Sequence, residues 1–206
     1  MGFQRKKDLG SHLFGENNYM KIVSLLPSST EIVCKFGFRE QLVGVSHECD
    51  YPVSVKNLPI LTKPRFSPVE SSHEIDNSVQ NLLKKGLSVY EVNTDLLKEL
   101  APDLIITQAQ CEACAVSLND VKEAVSDWVE NKREIISLEP NYLEDVWSDF
   151  ERVGKKLNNS ESYFNLKSEI KQRLVNLRQN SQKISKKPTV LCVEWIDPLI
   201  IAANWV

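Results

Sequence analysis

Glycine is scarce, with seven in 206 residues, and none falls in the spacing of a nucleotide-binding loop. No serine or cysteine triad stands out either, so hydrolytic and nucleotide-driven chemistry have no support in the sequence. A basic excess is also missing: 25 Lys and Arg face 28 Asp and Glu, for a net charge of -3. No basic cluster alternates with aromatics, which argues against a nucleic-acid partner. No run approaches the ~18 uninterrupted apolar residues of a membrane helix, so the chain is not expected to be membrane-embedded. Residues 1–19 hold Arg5, Lys6 and Lys7 followed by Asp8, Gly10, Ser11, His12, Gly15, Glu16, Asn17 and Asn18. They lack the apolar core of ~7 or more residues that a secretory signal needs. They are expected to form a flexible tail, with Met20 as a candidate start and the cytoplasm as the expected compartment of the chain as written. Five Cys, an odd number, do not fit a fully paired disulfide framework and agree with reduced thiols.

What is present is ample apolar content, 42% of residues, arranged as strands alternating with helices. Lys21 to Leu26 reads as a buried strand. Ser28 and Glu31 have capping-box spacing, and Ile32, Val33 and Phe36 form an apolar face that stops at Gly37. Leu42 to Val45 is a second strand, and Pro52, Pro59, Pro64 and Pro68 then predict a long irregular loop. Ser72 is placed to cap a helix over 73–85 that Gly86 closes, and Thr94 to cap a short helix through Leu100. Leu104 to Thr107 is a third strand, Ser117 and Asp120 open a helix carrying Val121, Val125, Trp128 and Val129, and Glu134 to Leu138 is a fourth strand. This alternation predicts a parallel α/β lobe. Val146, Trp147, Phe150, Val153 and Leu157 then fall at helical spacing, Asn158-Asn159-Ser160 interrupts, and Tyr163, Leu166, Ile170, Leu174 and Leu177 resume it. The second of these helices, over 161–182, would span roughly 30 Å. A fifth strand, Thr189 to Val193, leads into an apolar tail that either folds onto the first sheet or belongs to a further lobe.

Two short polar signatures follow strands. They are His47-Glu48-Cys49-Asp50-Tyr51-Pro52 after the second strand and Cys111-Glu112-Ala113-Cys114 after the third. If those strands are parallel neighbours, both loops open on the carboxyl edge of the sheet, where ligands bind in open α/β folds. Four readings fit. His47, Cys49, Cys111 and Cys114 offer one nitrogen and three sulfurs, close to a tetrahedral zinc or iron set, although the spacing is not that of a zinc finger. His47 could instead meet the cobalt or iron of a bound chelate, or simply hydrogen-bond Asp50 or Glu112. Cys111 and Cys114, ahead of a helix whose dipole lowers a thiol pKa, also suggest a Cys-x-x-Cys redox enzyme, but Ser117 is the better cap and leaves the pair in the loop. Cys34 and Cys192 lie in apolar contexts and read as core.

Four segments together resemble one family, the ligand-binding proteins of ABC importers for cobalamin and iron chelates, and within it those called cobalamin-binding proteins. They are KIVSLLPSSTEIVCKFGF, LVGVSHECDYP, APDLIITQAQCEACAVS and PTVLCVEWIDPLIIAANWV. The family has two α/β lobes joined by one long rigid helix, and its exported members are periplasmic or otherwise extracytoplasmic. The resemblance implies a ligand-binding lobe over 20–142, a helical linker over 143–187, and the start of a truncated second lobe over 188–206. It further implies a non-catalytic receptor for cobalamin, a related corrinoid or another metal chelate, working with an ABC transporter membrane component. Pro27, Ser29 and Thr30 would line the cleft, with His47, Glu48, Cys49, Asp50, Tyr51, Cys111, Glu112 and Cys114. Glu194, Trp195 and Asp197 would face them from the second lobe, the indole as a platform for a corrin ring or as an anchor for the tail. Asp95 matches the acidic position that docks on basic residues of the membrane component, and is equally explained as a carboxylate at a helix N-terminus.

Overall fold

The computed structural model describes residues 19–108, 119, 121–123 and 134–202. Four parallel strands, β1 (Ile22–Ser24), β2 (Leu42–Val45), β5 (Leu104–Gln108) and β6 (Glu134–Leu138), form one sheet in the order β2-β1-β5-β6. The architecture is the α/β lobe that the strand and helix alternation predicts. β2 and β5 are not neighbours; β1 lies between them, and because all four strands are parallel their following loops still share one edge. The chain leaves β1 toward β2 on one side and runs from β5 to β6 on the other. That makes the carboxyl ends of β1 and β5 a topological switch point, where a crevice forms.

Alternating strand residues feed two cores. Ile22, Leu104 and Ile106 pack in one cluster with helices α1 (Pro27–Lys35), α4 (Leu143–Lys156) and α5 (Ser160–Gln182). Val23 and Ile105 pack in another with Leu97 of α3 (Thr94–Leu100), Val121 and Val79 of α2 (Ser72–Lys84). Residues 121–123 are helical, while the rest of the helix expected after Ser117 lies outside the described residues.

The caps differ from expectation. Pro27 is the first residue of α1, since its ring presets the helical φ and needs no donor partner; Leu26 is therefore the N-cap and the Ser28–Glu31 box does not form. Helix α2 is capped one residue earlier than expected, by Ser71 with Glu74, and α3 by Asn93, whose side-chain oxygen accepts from the Leu96 N–H at 3.0 Å. The proline-rich stretch is more regular than its composition suggests. Residues Val53–Asn57 make a tight helical turn, and β3 (Thr62–Pro64) pairs antiparallel with β4 (Tyr90–Val92). Leu61 reaches the sheet through its N–H on Val45 O at 2.9 Å, a long-range bond that no local pattern announces.

Helices α4 and α5 follow without an intervening strand, as their periodicity predicts. They meet closely at Gly154, where a Cβ would come within 2.9 Å of Tyr163 Cβ. Asn159 fastens the turn: its Oδ1 accepts from the Ser162 N–H at 3.1 Å, and its Nδ2 donates to Phe36 O at 3.0 Å. Every residue from 171 to 182 is exposed, so the distal half of α5 leaves the lobe. Beyond it, β7 (Val193–Trp195) and β8 (Ile200–Ile201) make an antiparallel hairpin separate from the main sheet. The expected strand over 189–193 is thus displaced toward the Asp197-Pro198 turn, which folds the chain back. Cys192 is exposed rather than core, and Cys34 is half-buried.

Candidate functional site

At the end of β1, side chains that sequence patterns treat separately share one buried network. Ser24 Oγ lies 2.5 Å from Ser29 Oγ, Thr30 Oγ1 donates to Ser24 Oγ at 2.8 Å, and also approaches Cys49 Sγ at 3.1 Å. Ser29 donates to Leu26 O at 3.0 Å. Ser24, Ser29 and Thr30 are fully buried. This corrects their expected role: the Ser29 and Thr30 hydroxyls brace the first turn of α1 and do not face the cleft. Pro27 is half-buried, and Ser28 is the exposed hydroxyl of that turn.

A second set forms where β2 meets β3. The Thr62 hydroxyl donates to Ser46 Oγ at 3.0 Å and receives the His47 backbone N–H at 3.0 Å. His47 Nδ1 lies 2.7 Å from the same Thr62 oxygen, its ring sits 5.3 Å from that of Tyr90, and its Nε2 is 3.7 Å from Glu48 Oε1. The partner of His47 is therefore Thr62, not Asp50. Glu112, the other expected partner, lies outside the described residues, as do Cys111 and Cys114. Burial lowers the His47 pKa, opposed by the nearby Glu48 carboxylate, so the ring stays neutral at neutral pH. Burial raises the Cys49 pKa, with the Thr30 hydrogen bond acting the other way. Cys49 is thus a buried, protonated thiol within the first core, a poor metal ligand and a poor nucleophile. Among the described residues no three His, Cys, Asp or Glu side chains gather as the ligands of a free ion. Glu48, Asp50 and Tyr51 are exposed beside this set, with the Tyr51 side of the loop turned to solvent.

Beside α1 lies a cavity of about 430 Å³ between α1, the end of β6, α4 and α5. Leu138, Phe150 and Ile170 supply apolar wall, while Ser28, Glu31 and Arg173 stand among its polar lining. Its size is that of a small-molecule site.

The hairpin residues are held elsewhere. Trp195 Nε1 donates to Ser72 O at 3.1 Å and to Asp197 O at 3.0 Å, and Asp197 Oδ1 is 3.8 Å from His73 Nδ1. Trp195 and Asp197 thus meet at the start of α2, with Glu194 exposed in the middle of β7. Asp95 is exposed in the first turn of α3, within a polar depression that also includes Lys63 and Glu91.

Sequence reasoning missed Ser24, Ser46 and Thr62. Ser24 and Ser46 do end or follow strands at the ligand edge, a signal that was there to be used. Thr62 had none, because its position depends on the β2–β3 crossing.

No family model matches the chain, and no curated protein matches it. Solved structures do. One is a Staphylococcus epidermidis protein described as a possible iron-binding (periplasmic solute-binding) protein, at TM-score 0.62 and 20% identity, covering 88% of this chain and 59% of that one. Another is an ABC transporter substrate-binding protein from Listeria monocytogenes, at TM-score 0.59 and 18% identity, covering 90% and 58%. A third is the periplasmic vitamin B12 binding protein BtuF of Vibrio cholerae, at TM-score 0.58 and 20% identity, covering 87% and 57%. The chain spans under three fifths of the length of each. Its fold is that of the corresponding part of these solute-binding proteins.

Proposed function

We propose that this chain is a ligand-holding part of a non-catalytic solute receptor for cobalamin, a related corrinoid or another metal chelate, of the kind that serves ABC importers. One observation carries the reading: a fold shared with iron-, B12- and ABC-type binding proteins, with loops after β1 and β2 opening on the switch-point edge. In this reading residues 20–142 are the binding lobe, 143–187 the helical linker and 188–206 the start of a second lobe. Pro27, His47, Glu48, Asp50 and Tyr51 approach ligand from the lobe. Cys111, Glu112 and Cys114 belong to the loop after β5, and Glu194, Trp195 and Asp197 approach from the hairpin side. Cys49 supports the loop from beneath.

The receptor would act outside the cytoplasm, as the periplasmic descriptions of two of the matched proteins suggest, and the cytoplasmic expectation drawn from residues 1–19 finds no support among them. No helix among the described residues is long and apolar enough to cross a membrane. Asp95, exposed on α3, is assigned to docking on a basic membrane component. The test is a visible difference titration with aquocobalamin: a saturable spectral shift that weakens in Tyr51→Ala and Trp195→Ala is expected. A flat titration to saturating ligand sinks the reading.

A further inference from the structure

The cavity beside α1 lies away from the His47 loop. On α1 its lining is Ser28, Glu31, Ile32 and Lys35, which follow one another at helical spacing and mark one face. Thr30, whose hydroxyl meets Cys49, stands about 200° round the helix from Ser28 and so on the opposite face. Asn159 ties the start of α5 to the carbonyl of Phe36 at the end of α1. From there α5 runs back along α1 and brings Leu166, Glu169, Ile170 and Arg173 to the other wall. Leu138 at the end of β6 and Phe150 of α4, both buried, add apolar surface between the two helices. Among the described residues that line the cavity, Asp149 is the one charged side chain that is buried. Glu31, Lys35, Glu169 and Arg173 are exposed, two of each sign, and set no preference for the charge of a ligand.

Asp149 gives the cavity its chemistry. Its Oδ1 accepts from Arg152 Nη2, and Arg152 Nη2 also donates to Ser137 O at 2.7 Å, so the guanidinium is held against β6 and is not part of the lining. An ionised carboxylate has about four acceptor sites. Arg152 and the Glu139 backbone N–H each take one, which leaves room for a further donor. Burial raises the Asp149 pKa despite both bonds, so the charge compensation at this carboxylate falls short of its desolvation. A cation in the cavity would make up the difference and an anion would be repelled, in surroundings where water screens charges weakly. From this we infer that the cavity is a second binding site, for an amphipathic amine whose compact apolar body sits against Leu138, Phe150 and Ile170 and whose ammonium meets Asp149. At about 430 Å³ it has room for a bicyclic aromatic group. The site is independent of the chelate-binding reading, and a flat aquocobalamin titration would leave it standing.

The test is a titration at neutral pH with three indoles of similar size, followed by backbone amide shifts in NMR: tryptamine, a cation; indole-3-propionate, an anion; and 3-ethylindole, uncharged. Tryptamine is expected to saturate, to bind about tenfold tighter than indole-3-propionate, and to shift the amides of Ile32, Leu138 and Ile170. Asp149→Asn should lose about tenfold in tryptamine affinity and leave 3-ethylindole within about twofold. Ile170→Trp, which fills the cavity, should weaken tryptamine and 3-ethylindole alike. Indole-3-propionate binding as tightly as tryptamine, or tryptamine affinity unchanged in Asp149→Asn, overturns the assignment to an amine. Shifts confined to residues away from the cavity, or binding untouched by Ile170→Trp, overturn the site. Titrations that remain flat with all three indoles overturn the whole inference. The wild-type comparison and its shift map decide the matter if either variant does not fold.

Discussion

The carboxyl edge of the sheet and the hairpin over 193–201 are both proposed to meet ligand, yet they are built in opposite ways. At the sheet edge, Ser24, Ser29, Thr30, Ser46 and Thr62 are buried and bonded to one another or to backbone, over an apolar core that includes Phe36 and Val45. In the hairpin region, Leu191, Ile196, Leu199 and Ile201 are at least half exposed, and the Trp195 indole and the His73–Asp197 pair tie it to the lobe. The sheet edge is a surface whose side chains are held in place by buried hydrogen bonds. The hairpin is an apolar surface with polar moorings, able to pack against something further.

Breaking the first core should have the largest effect. Phe36 is almost fully buried and meets Phe150 edge-on at 6.3 Å between ring centres. Phe36→Ala is expected to cost ~3–5 kcal/mol in urea unfolding, whereas Leu199→Ser should cost no more than ~0.5 kcal/mol. Equal losses would erase the distinction between the regions.

The hydroxyl network comes next. Ser24→Ala removes the acceptor of Thr30 and the partner of Ser29 and is expected to cost ~1–3 kcal/mol. Trp195→Ala should leave the urea midpoint of the lobe nearly unchanged but speed amide exchange across 193–201. A lobe that unfolds with the hairpin in that variant would mean that the two regions are one cooperative unit.

A pH series sharpens the contrast further. Asp149 is buried in the first core's α4, and desolvation raises its pKa despite its hydrogen bond with Arg152. A carboxyl whose folded value exceeds its unfolded value binds the extra proton in the folded state between the two, so its contribution to stability falls as pH rises through the folded value. Asp149→Asn should flatten that part of the urea midpoint curve above pH 4. The smallest effect is expected at His73, exposed like its partner Asp197. His73→Ala should change stability by no more than ~0.5 kcal/mol, measured in the same titration.

The elements with strong periodicity were legible. Parallel strands, the α4–α5 succession and the long helix follow from apolar spacing in Leu104 to Thr107, Val146 to Leu157 and Tyr163 to Leu177. What was not legible depended on long-range bonds or on competition for a single residue. Pro27 displaced the Ser28 cap because its fixed φ suits the first helical position. The β3–β4 pair was hidden under Pro59 and Pro64, which are tolerated because the pair is two strands wide and has free edges. Thr62 could not be connected to His47 without knowing that Leu61 docks on Val45. The polar signature of His47 to Tyr51 was visible, but the division of labour within it, with Cys49 inward and Glu48, Asp50 and Tyr51 outward, was set by packing.

Asn159 gives α5 a mechanical character. One end of its amide caps α5 and the other grips the carbonyl of Phe36, just past the last turn of α1, while the opposite end of α1 carries Pro27 and Ser28 at the carboxyl edge of the sheet. The base of the long helix is clamped to the lobe through Tyr163, Leu166 and Ile170, and its free arm is the exposed stretch over 171–182. A tilt of about 5° where that arm leaves the lobe would carry its far end, about 18 Å away, by only about 1.6 Å. The helix is thus a stiff bracket, fastened to α1 at one end and carrying residues 183–202 at the other.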